Sequence, residues 1–232
     1  MTKQEVFRLF EENKNEKSIE HMKRFGINAE KSYGLAMPQI RDIAKQIKKN
    51  HALALELWQT GVHDARLLAA MIADKKELTE ELMELWVKDF YSWDICDQCV
   101  SNYFDKATFA FEKALEWSER PEEFVRRAGF VMMATLALHA KKEPDDHFEI
   151  FFDAIVKHAT DERNFVKKAV NWAIRQIGKR SLYLNPKAIE LCNRIRVTHP
   201  DSSTAKWITS DAIRELESEK VQERLKKKAK KK

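Results

Sequence analysis

The stretch FVRRAGFVMMATLA at residues 124–137 recurs as FVKKAVNWAIRQIG at residues 165–178, 41 positions further along the chain. A fainter third copy, TAKWITSDAIREL, begins at Thr204. A period near 40 residues with two helices per unit is the sequence signature of HEAT-like repeats. Such repeats stack into a curved superhelix whose concave face binds extended partners. The repeat therefore predicts an all-α HEAT-like solenoid, with the two clear copies lining a concave basic groove.

The low content of glycine and proline favours the same fold class. Only five of each occur in 232 residues, whereas average usage would give roughly 28 of the two together. The sequence contains no glycine-rich phosphate loop, which excludes dinucleotide-binding and P-loop folds. We predict about twelve helices joined by short connections. They form a single domain over residues 1–222, followed by a disordered lysine-rich tail over residues 223–232.

The sequence is typical of a cytoplasmic protein. Charged residues run through the first twenty positions, unlike those of a signal peptide. The longest uncharged apolar run, residues 128–140, has thirteen residues, whereas a membrane span needs about 20. Three cysteines, an odd number in a long chain, argue against a disulfide framework and for a reducing compartment. We expect a soluble cytoplasmic protein that enters no membrane, and we expect it to be a monomer.

Positive charge is concentrated in two parts of the sequence. The formal net charge is +5, and the last nine residues, RLKKKAKKK, hold seven positive charges, so the rest of the chain carries −2. Residues 163–196 contain nine basic and one acidic side chain, whereas residues 76–123 contain five basic and thirteen acidic ones. A basic stripe on an otherwise neutral body is the footprint of a polyanion-binding protein. The lysine tail is interpreted as a solubilising segment or as a nonspecific DNA contact.

One predicted helix combines an aromatic residue with this basic stripe. On a helical wheel of residues 164–179, Trp172 falls at the edge of the polar side, next to Lys168, Arg175 and Lys179. An aromatic side chain within a cationic stripe suits a nucleic-acid backbone and its sugars. Packing of the indole against a neighbouring helix agrees equally well with the pattern.

A second predicted helix, residues 92–104, places Trp93 and Asp97 four residues apart, so that an indole and a carboxylate lie side by side. Taken alone, such an aspartate is more often a surface or capping residue than a catalytic one. Cys96 and Cys99 form a CxxC pair, but no second pair or histidine tract completes a zinc site. We predict that both cysteines are core thiols and that the protein holds neither a metal nor another cofactor.

Residues 121–139 are apolar nearly all the way round the helix, which is typical of a buried central helix. Arg126 and Arg127 are its basic residues after the first turn. A buried guanidinium needs a partner, because burying an unpaired charge is costly. The sequence leaves two partners open, an internal carboxylate and a phosphate of a bound ligand.

Four motifs resemble those of the bacterial AlkD-like DNA alkylation repair glycosylases. They are YGLAMPQIRDIAK at residues 33–45, WDICD at 93–97, VRRAG at 125–129 and KKAVNWAIR at 167–175. They follow the order and approximate spacing of that family, and the similarity covers most of residues 1–215. Each motif alone is weak, whereas the four together are fairly specific.

The resemblance implies a hydrolase that excises positively charged N3- and N7-alkylpurines from duplex DNA without flipping the base. It also implies that Trp93, Asp97, Arg127 and Trp172 correspond to the family's functional residues. The sequence departs from the family pattern at two positions. Ser92 stands where a reference member has a second tryptophan, and the lesion contact falls at Phe25 instead of a tyrosine.

The expected mechanism needs one carboxylate. Glycosidases usually use two, one of which protonates the leaving group, but a cationic alkylpurine departs as a neutral base without that help. Asp97 would stabilise the cationic sugar and position the attacking water, while Trp93 and Trp172 would hold the sugar by their π faces. Arg127 would clamp a phosphate. The residues expected to follow the DNA backbone are Arg126, Lys167, Lys168, Arg175 and Lys179.

The rival hypothesis is a non-catalytic HEAT-like scaffold that binds nucleic acid or protein. Thiol redox chemistry at the CxxC pair is a distant third hypothesis.

Overall fold

The structure, a computed structural model, describes residues 1–27 and 29–230. Over this part of the chain, the backbone forms fourteen α-helices and three short 3-10 helices and no β-strand, which confirms the all-α prediction. None of these helices combines the length and apolar character that crossing a bilayer requires. The chain divides into two compact units, Met1–Thr108 and Phe109–Lys232. A single domain over residues 1–222 stays a prediction.

The first unit contains seven of the α-helices in the described residues. They are α1 (Lys3–Glu12), α2 (Glu16–Arg24), α3 (Met37–Ile47), α4 (His51–Gln59), α5 (His63–Ile72), α6 (Glu80–Val87) and α7 (Trp93–Asn102). Several of these helices begin with residues that stabilise a helix N-terminus. Thr2 and Glu5 form a reciprocal capping box at α1, and Pro38 occupies the first turn of α3.

Aromatic rings fill the centre of the first unit and hold α7 in place. Trp58 of α4 and Trp86 of α6 stack with their ring centroids 4.1 Å apart. The ring of Trp86 also contacts that of Tyr103, which follows α7, with the two centroids 5.5 Å apart. The buried side chains of α7 are Ile95, Cys96, Cys99 and Val100. Both cysteines therefore pack in the core, as the sequence predicted.

The first of the four motifs begins with a loop tied to α5 and continues into α3. Gly34 has a φ of +72°, and a Cβ there would lie 2.4 Å from the carbonyl oxygen of Asn15. Only glycine accommodates both the left-handed backbone and this approach. The buried Asp64 side chain accepts hydrogen bonds from the backbone N–H groups of Tyr33 at 2.7 Å and Leu35 at 2.9 Å. These contacts therefore fix the path of the chain just before α3.

The second unit contains the other seven α-helices in the described residues. They are α8 (Ala110–Glu119), α9 (Glu123–His139), α10 (Phe152–His158), α11 (Asn164–Gly178), α12 (Leu184–Thr198), α13 (Ser203–Leu216) and α14 (Glu219–Ala229). The three copies of the sequence repeat are α9, α11 and α13. Phe124 and Phe165, which occupy the same position in the first two copies, contact each other with ring centroids 5.5 Å apart.

The central helix α9 is buried along most of its length, as predicted. Gly129 of the VRRAG motif lies against α8, and a Cβ there would meet the backbone nitrogen of Ser118 at 2.4 Å and the carbonyl oxygen of Ala114 at 2.8 Å. Both obstacles are backbone atoms, which cannot rotate away. The glycine therefore permits the close packing of α9 on α8.

The C-terminal segment differs from the sequence prediction of a disordered tail over residues 223–232. Residues through Ala229 belong to helix α14, and residues 231–232 lie outside the described part of the chain. Val221 and Leu225 are 7% and 1% exposed, because their four-residue spacing puts them on one helix face that packs on the unit. Because lysine dominates the composition of this segment, the sequence analysis did not recognise that Val221 and Leu225 share one apolar helix face.

Candidate functional site

Trp93 and Phe25, two residues singled out by the sequence, are joined in the structure of the first unit. Trp93 is the first residue of α7, and its indole Nε1 donates a hydrogen bond to the carbonyl oxygen of Phe25 at 3.0 Å. Phe25 follows α2, and 56% of its surface is exposed. Its ring meets His21 edge-on at 4.9 Å. The hydrogen bond fixes one edge of a half-buried indole next to an exposed aromatic ring.

Asp97 lies one turn after Trp93 on α7 and is half-buried. Residues four apart on a helix have Cβ atoms roughly 6 Å apart and share one side of it. The predicted juxtaposition of an indole and a carboxylate is therefore present. Farther along α7, the hydroxyl of Ser101 donates to the Asp97 carbonyl oxygen at 2.6 Å.

The start of α7 is held by polar residues that sequence reasoning missed. Ser92 is fully buried, and its hydroxyl donates to Asp94 Oδ1 at 2.7 Å. Asp94 Oδ2 lies 2.9 Å from Nε2 of the buried His63, and His63 Nδ1 lies 2.7 Å from the hydroxyl of Tyr91. Ser92, one of the two departures noted in the sequence, thus supplies a hydrogen bond at the start of α7. Asp94, the second residue of the WDICD motif, was the sequence feature that could have pointed to these polar contacts.

The Asp94 carboxylate stays ionised in this chain of polar groups. Burial by itself would raise the pKa of Asp94, but the hydrogen bonds from His63 and Ser92 outweigh burial, and the pKa is lowered below its ordinary value. The same α5 terminus also binds the chain just before the first motif, since the backbone N–H of His63 donates to the Lys31 carbonyl oxygen at 2.9 Å. α5 therefore connects the loop before α3 with the beginning of α7.

In the second unit, Arg127 is buried, with 6% of its surface exposed. Its Nη1 donates to the Phe165 carbonyl oxygen in the first turn of α11 at 2.6 Å. The sequence left an internal carboxylate and a ligand phosphate open as partners. One partner of the guanidinium is thus a backbone carbonyl, and this hydrogen bond links the first two repeat copies. A phosphate contact for Arg127 stays a prediction.

Arg126 forms an ion pair within the second unit. Its Nη1 lies 2.9 Å from Asp161 Oδ2, and Arg163 Nη2 binds the same oxygen at 2.5 Å. Burial raises the pKa of Asp161, but the hydrogen bonds from Arg163 and Arg126 lower it to about 2. Two cations therefore share one carboxylate that remains ionised at neutral pH.

Trp172 is half-buried on α11, at the border between its apolar and charged sides, as predicted. In the amide orientation that satisfies its neighbours, Gln176 Oε1 accepts hydrogen bonds from Trp172 Nε1 at 2.8 Å and from Lys179 Nζ at 3.3 Å. The indole is thus held by its own helix one turn away.

Acidic residues of α13 pair with two cations of the basic stripe, Arg175 and Lys179, which the sequence analysis did not anticipate. Glu215 accepts from Arg175 Nη1 and from Lys179 Nζ, each at 2.6 Å. Asp211 lies 4.0 Å from Arg175 as a second acidic neighbour. Burial raises the pKa of Glu215, but the two cations lower it overall. The fainter third repeat copy therefore supplies carboxylates to the second one.

The remaining two cations of α11 differ in their surroundings. Lys167 Nζ lies over the ring of Trp207, 5.4 Å from its centroid, a distance at which a cation and an aromatic face attract. Lys168 is exposed and has no ion-pair partner within the described residues of its unit. Among the predicted backbone contacts, Lys168 is the most accessible to a phosphate.

Comparison with known proteins identifies the family. The family model described as DNA alkylation repair enzyme matches residues 6–216. The chain belongs to the DNA alkylation repair enzyme family. The match confirms the resemblance inferred from the four motifs, all of which lie within the matched residues.

One curated protein and one solved structure are similar to this DNA alkylation repair family member. An uncharacterised protein of Listeria innocua is 23% identical over 188 residues, which cover 80% of this chain and 82% of the relative. A solved structure from a new family of proteins related to the HEAT-like repeat DNA glycosylases, with affinity for branched DNA structures, matches with a TM-score of 0.74. It is 23% identical, and the match covers 84% of this chain and 83% of that chain. The likeness confirms the HEAT-like fold.

Proposed function

We propose that this family member is a DNA glycosylase that hydrolyses the N-glycosidic bond of cationic N3- and N7-alkylpurines in duplex DNA, without base flipping. The observation that carries the proposal is the pair formed by Trp93 and Asp97 on α7, in a chain that belongs to the DNA alkylation repair enzymes. The hydrogen bond from Trp93 to Phe25 supports it, because the two residues expected at the lesion are neighbours. A monomer in the cytoplasm is part of the proposal.

The proposed reaction breaks one bond and forms one bond at C1′ of the deoxyribose. The alkylpurine leaves with the electron pair of the N-glycosidic bond, which cancels its positive charge and gives a neutral base. Water attacks the oxocarbenium-like carbon, and its proton passes through Asp97 to solvent. Because the leaving base needs no proton, the single carboxylate stabilises developing positive charge, the kind of electrostatic effect that usually contributes most to catalysis.

The aromatic residues complete the proposed site. The half-buried indole of Trp93 offers its face to the sugar while its Nε1 is held by Phe25. Trp172, held by Gln176 on α11, is the other indole that the sequence predicts to contact a sugar. An aromatic face attracts a sugar that becomes cationic in the transition state more strongly than a neutral one. The interaction therefore favours the transition state over the bound substrate.

Binding of DNA is proposed to use the exposed Lys168 first. Arg126, Arg175 and Lys179 are bonded to internal carboxylates, so each would reach a phosphate only by exchanging its partner. Exchange is easier at the partly exposed pairs of Glu215 with Arg175 and Lys179 than at the largely buried Arg126–Asp161 pair, because exposed ion pairs contribute little net stability. Arg127 would likewise reach a phosphate only by giving up its hydrogen bond to the Phe165 carbonyl oxygen.

The decisive experiment measures bases released from methylated duplex DNA by the wild type and by Asp97→Asn. We expect the wild type to release N7-methylguanine and N3-methyladenine and to leave hypoxanthine and uracil in place. Asp97→Asn should lower the single-turnover rate by about 100-fold or more, because it removes the charge that stabilises the transition state. Glu56→Gln removes an exposed carboxylate of α4 in the same unit and serves as the matched control. Near wild-type release by Asp97→Asn would overturn the assignment.

A second candidate is a HEAT-like protein that binds nucleic acid without excision. The related solved structure, described as having affinity for branched DNA, favours it. Affinities for a four-way DNA junction and a duplex of the same sequence discriminate between the candidates. A strong preference for the junction, together with no base release from methylated DNA, would support this candidate over the glycosylase.

A further inference from the structure

Helix α14 carries a dense positive charge outside the predicted DNA-binding residues. Between Glu219 and Lys230 the sequence has six basic and two acidic side chains, and all eight are exposed. Within the described residues of the second unit, Lys220 and Arg224 have no ion-pair partner. Glu223 lies 3.8 Å from Lys227, with both side chains largely exposed, so this pair contributes little stability.

Specific contacts fix the orientation of α14, so its charged side is a defined surface. Val221 and Leu225 are buried. The Gln222 side chain donates to Asn185 Oδ1 at 3.0 Å and to the Leu216 carbonyl at 2.7 Å. Lys228 Nζ donates to the Lys179 carbonyl, at the end of α11, at 3.0 Å, where a cation satisfies the last carbonyls of a helix. The apolar residues face inward, and the remaining basic residues face solvent.

The basic side of α14 has the spacing of a phosphate-binding surface. Lys220, Arg224 and Lys227 are spaced four and three residues apart, which places them on one side of the helix. At a rise of 1.5 Å per residue, they span about 10 Å, the axial length of about three phosphates of one DNA strand. They line a shallow cavity of about 310 Å³ together with Glu223 and Lys228.

We propose that the side of α14 formed by Lys220, Arg224 and Lys227 binds the phosphate backbone of duplex DNA. The contrast with α11 supports this assignment, because Glu215 neutralises Arg175 and Lys179 there. Accessible cations release counterions from DNA when they bind, which makes affinity depend on salt and not on sequence. The surface extends the DNA contact of the proposed glycosylase, so it rests on that function, but its own test needs no excision.

The test measures the affinity of the full chain for an undamaged, fluorescein-labelled 20-base-pair duplex at a series of salt concentrations. The variant Lys220→Gln/Arg224→Gln/Lys227→Gln removes three charges from exposed positions. The matched control Lys75→Gln/Lys76→Gln/Lys88→Gln removes three exposed charges from the first unit. Circular dichroism verifies that each variant keeps its helical content.

We expect the α14 variant to reduce the slope of log affinity against log salt by about 2 to 3, and affinity at 0.1 M salt on the order of 100-fold. The control should change affinity less than about threefold. An unchanged slope, an equal loss in the control, or no binding of duplex by the wild type would overturn the proposal. Base release from methylated DNA is scored separately. If the wild type binds DNA through α14 but releases no base, only the glycosylase proposal is contradicted. If it releases base and the α14 variant keeps the wild-type slope of log affinity against log salt, only the proposed α14 surface is contradicted.

Discussion

Trp93 and Trp172 both lie half-buried on helices, but different interactions support them. Trp93 follows a serine and precedes an aspartate that belong to a buried chain of polar groups reaching His63 on α5. Trp172 is bonded one turn along its own helix, and its charged neighbours form partly exposed ion pairs with Glu215. A buried polar chain restricts geometry strongly, because each unsatisfied member is costly. A partly exposed pair exchanges partners easily. We infer that the first unit holds its indole rigidly and the second unit is adaptable.

The largest effect is expected from breaking the polar chain. Asp94→Ala removes the partner of both His63 and Ser92 and should destabilise the first unit by about 3 kcal/mol, because buried polar groups lose their hydrogen bonds. Hydrogen exchange of the α5 and α7 amides should accelerate by about 100-fold, while α11 and α13 keep their protection. Glu215→Ala, the comparison in the second unit, should cost no more than about 1 kcal/mol. Equal losses from the two variants would contradict the contrast.

Acid sensitivity provides a second test in both units. Asp94 and Asp161 have folded-state pKa values below the unfolded value, Asp161 about 2, whereas an unfolded aspartate titrates near about 3.9. Their stabilisation is therefore present above about pH 4 and is lost as pH falls through the folded pKa. The wild-type Tm should fall between about pH 5 and 2, and Asp94→Asn or Asp161→Asn should each flatten that fall.

Thermal unfolding at several pH values measures this dependence, with hydrogen exchange assigning the effect to one unit. Glu56→Gln, an exposed carboxylate of α4, is the control and should reproduce the wild-type curve. If both aspartate variants lost Tm with falling pH as steeply as the wild type, the hydrogen bonds to these carboxylates would not stabilise the fold.

The smallest effect is expected from releasing the cations of α11. Glu215→Gln removes the negative charge that binds Arg175 and Lys179, so both cations become more available to phosphates. Affinity for undamaged duplex should rise about threefold to tenfold at low salt, with a steeper salt dependence. Glu217→Gln, an exposed acidic residue two positions further on, controls for the change in net charge. Equal gains in both variants would assign the effect to general electrostatics and not to the paired cations.

The sequence predicted the helical class, the repeat and the main site helices because these depend on local patterns. The wheel of residues 164–179 matches α11, Asn164–Gly178, and the apolar stretch of residues 121–139 matches α9, Glu123–His139. The four-residue spacing of Trp93 and Asp97 determines their proximity once α7 forms. Repeat period, helical periodicity and spacing within a helix are all encoded over a few turns of chain.

Tertiary structure alone decided which charges are paired and which polar groups are buried. Glu215 meets Arg175 from 40 positions away, and His63 meets Asp94 from 31 positions away. The burial of Val221 and Leu225 likewise made α14 a docked helix in place of a tail. Long-range pairing depends on how helices pack, and a charge count along the chain carries no such information. The sequence by itself therefore determined the helical architecture and the residue types of the site, whereas packing determined which cations remain available for DNA.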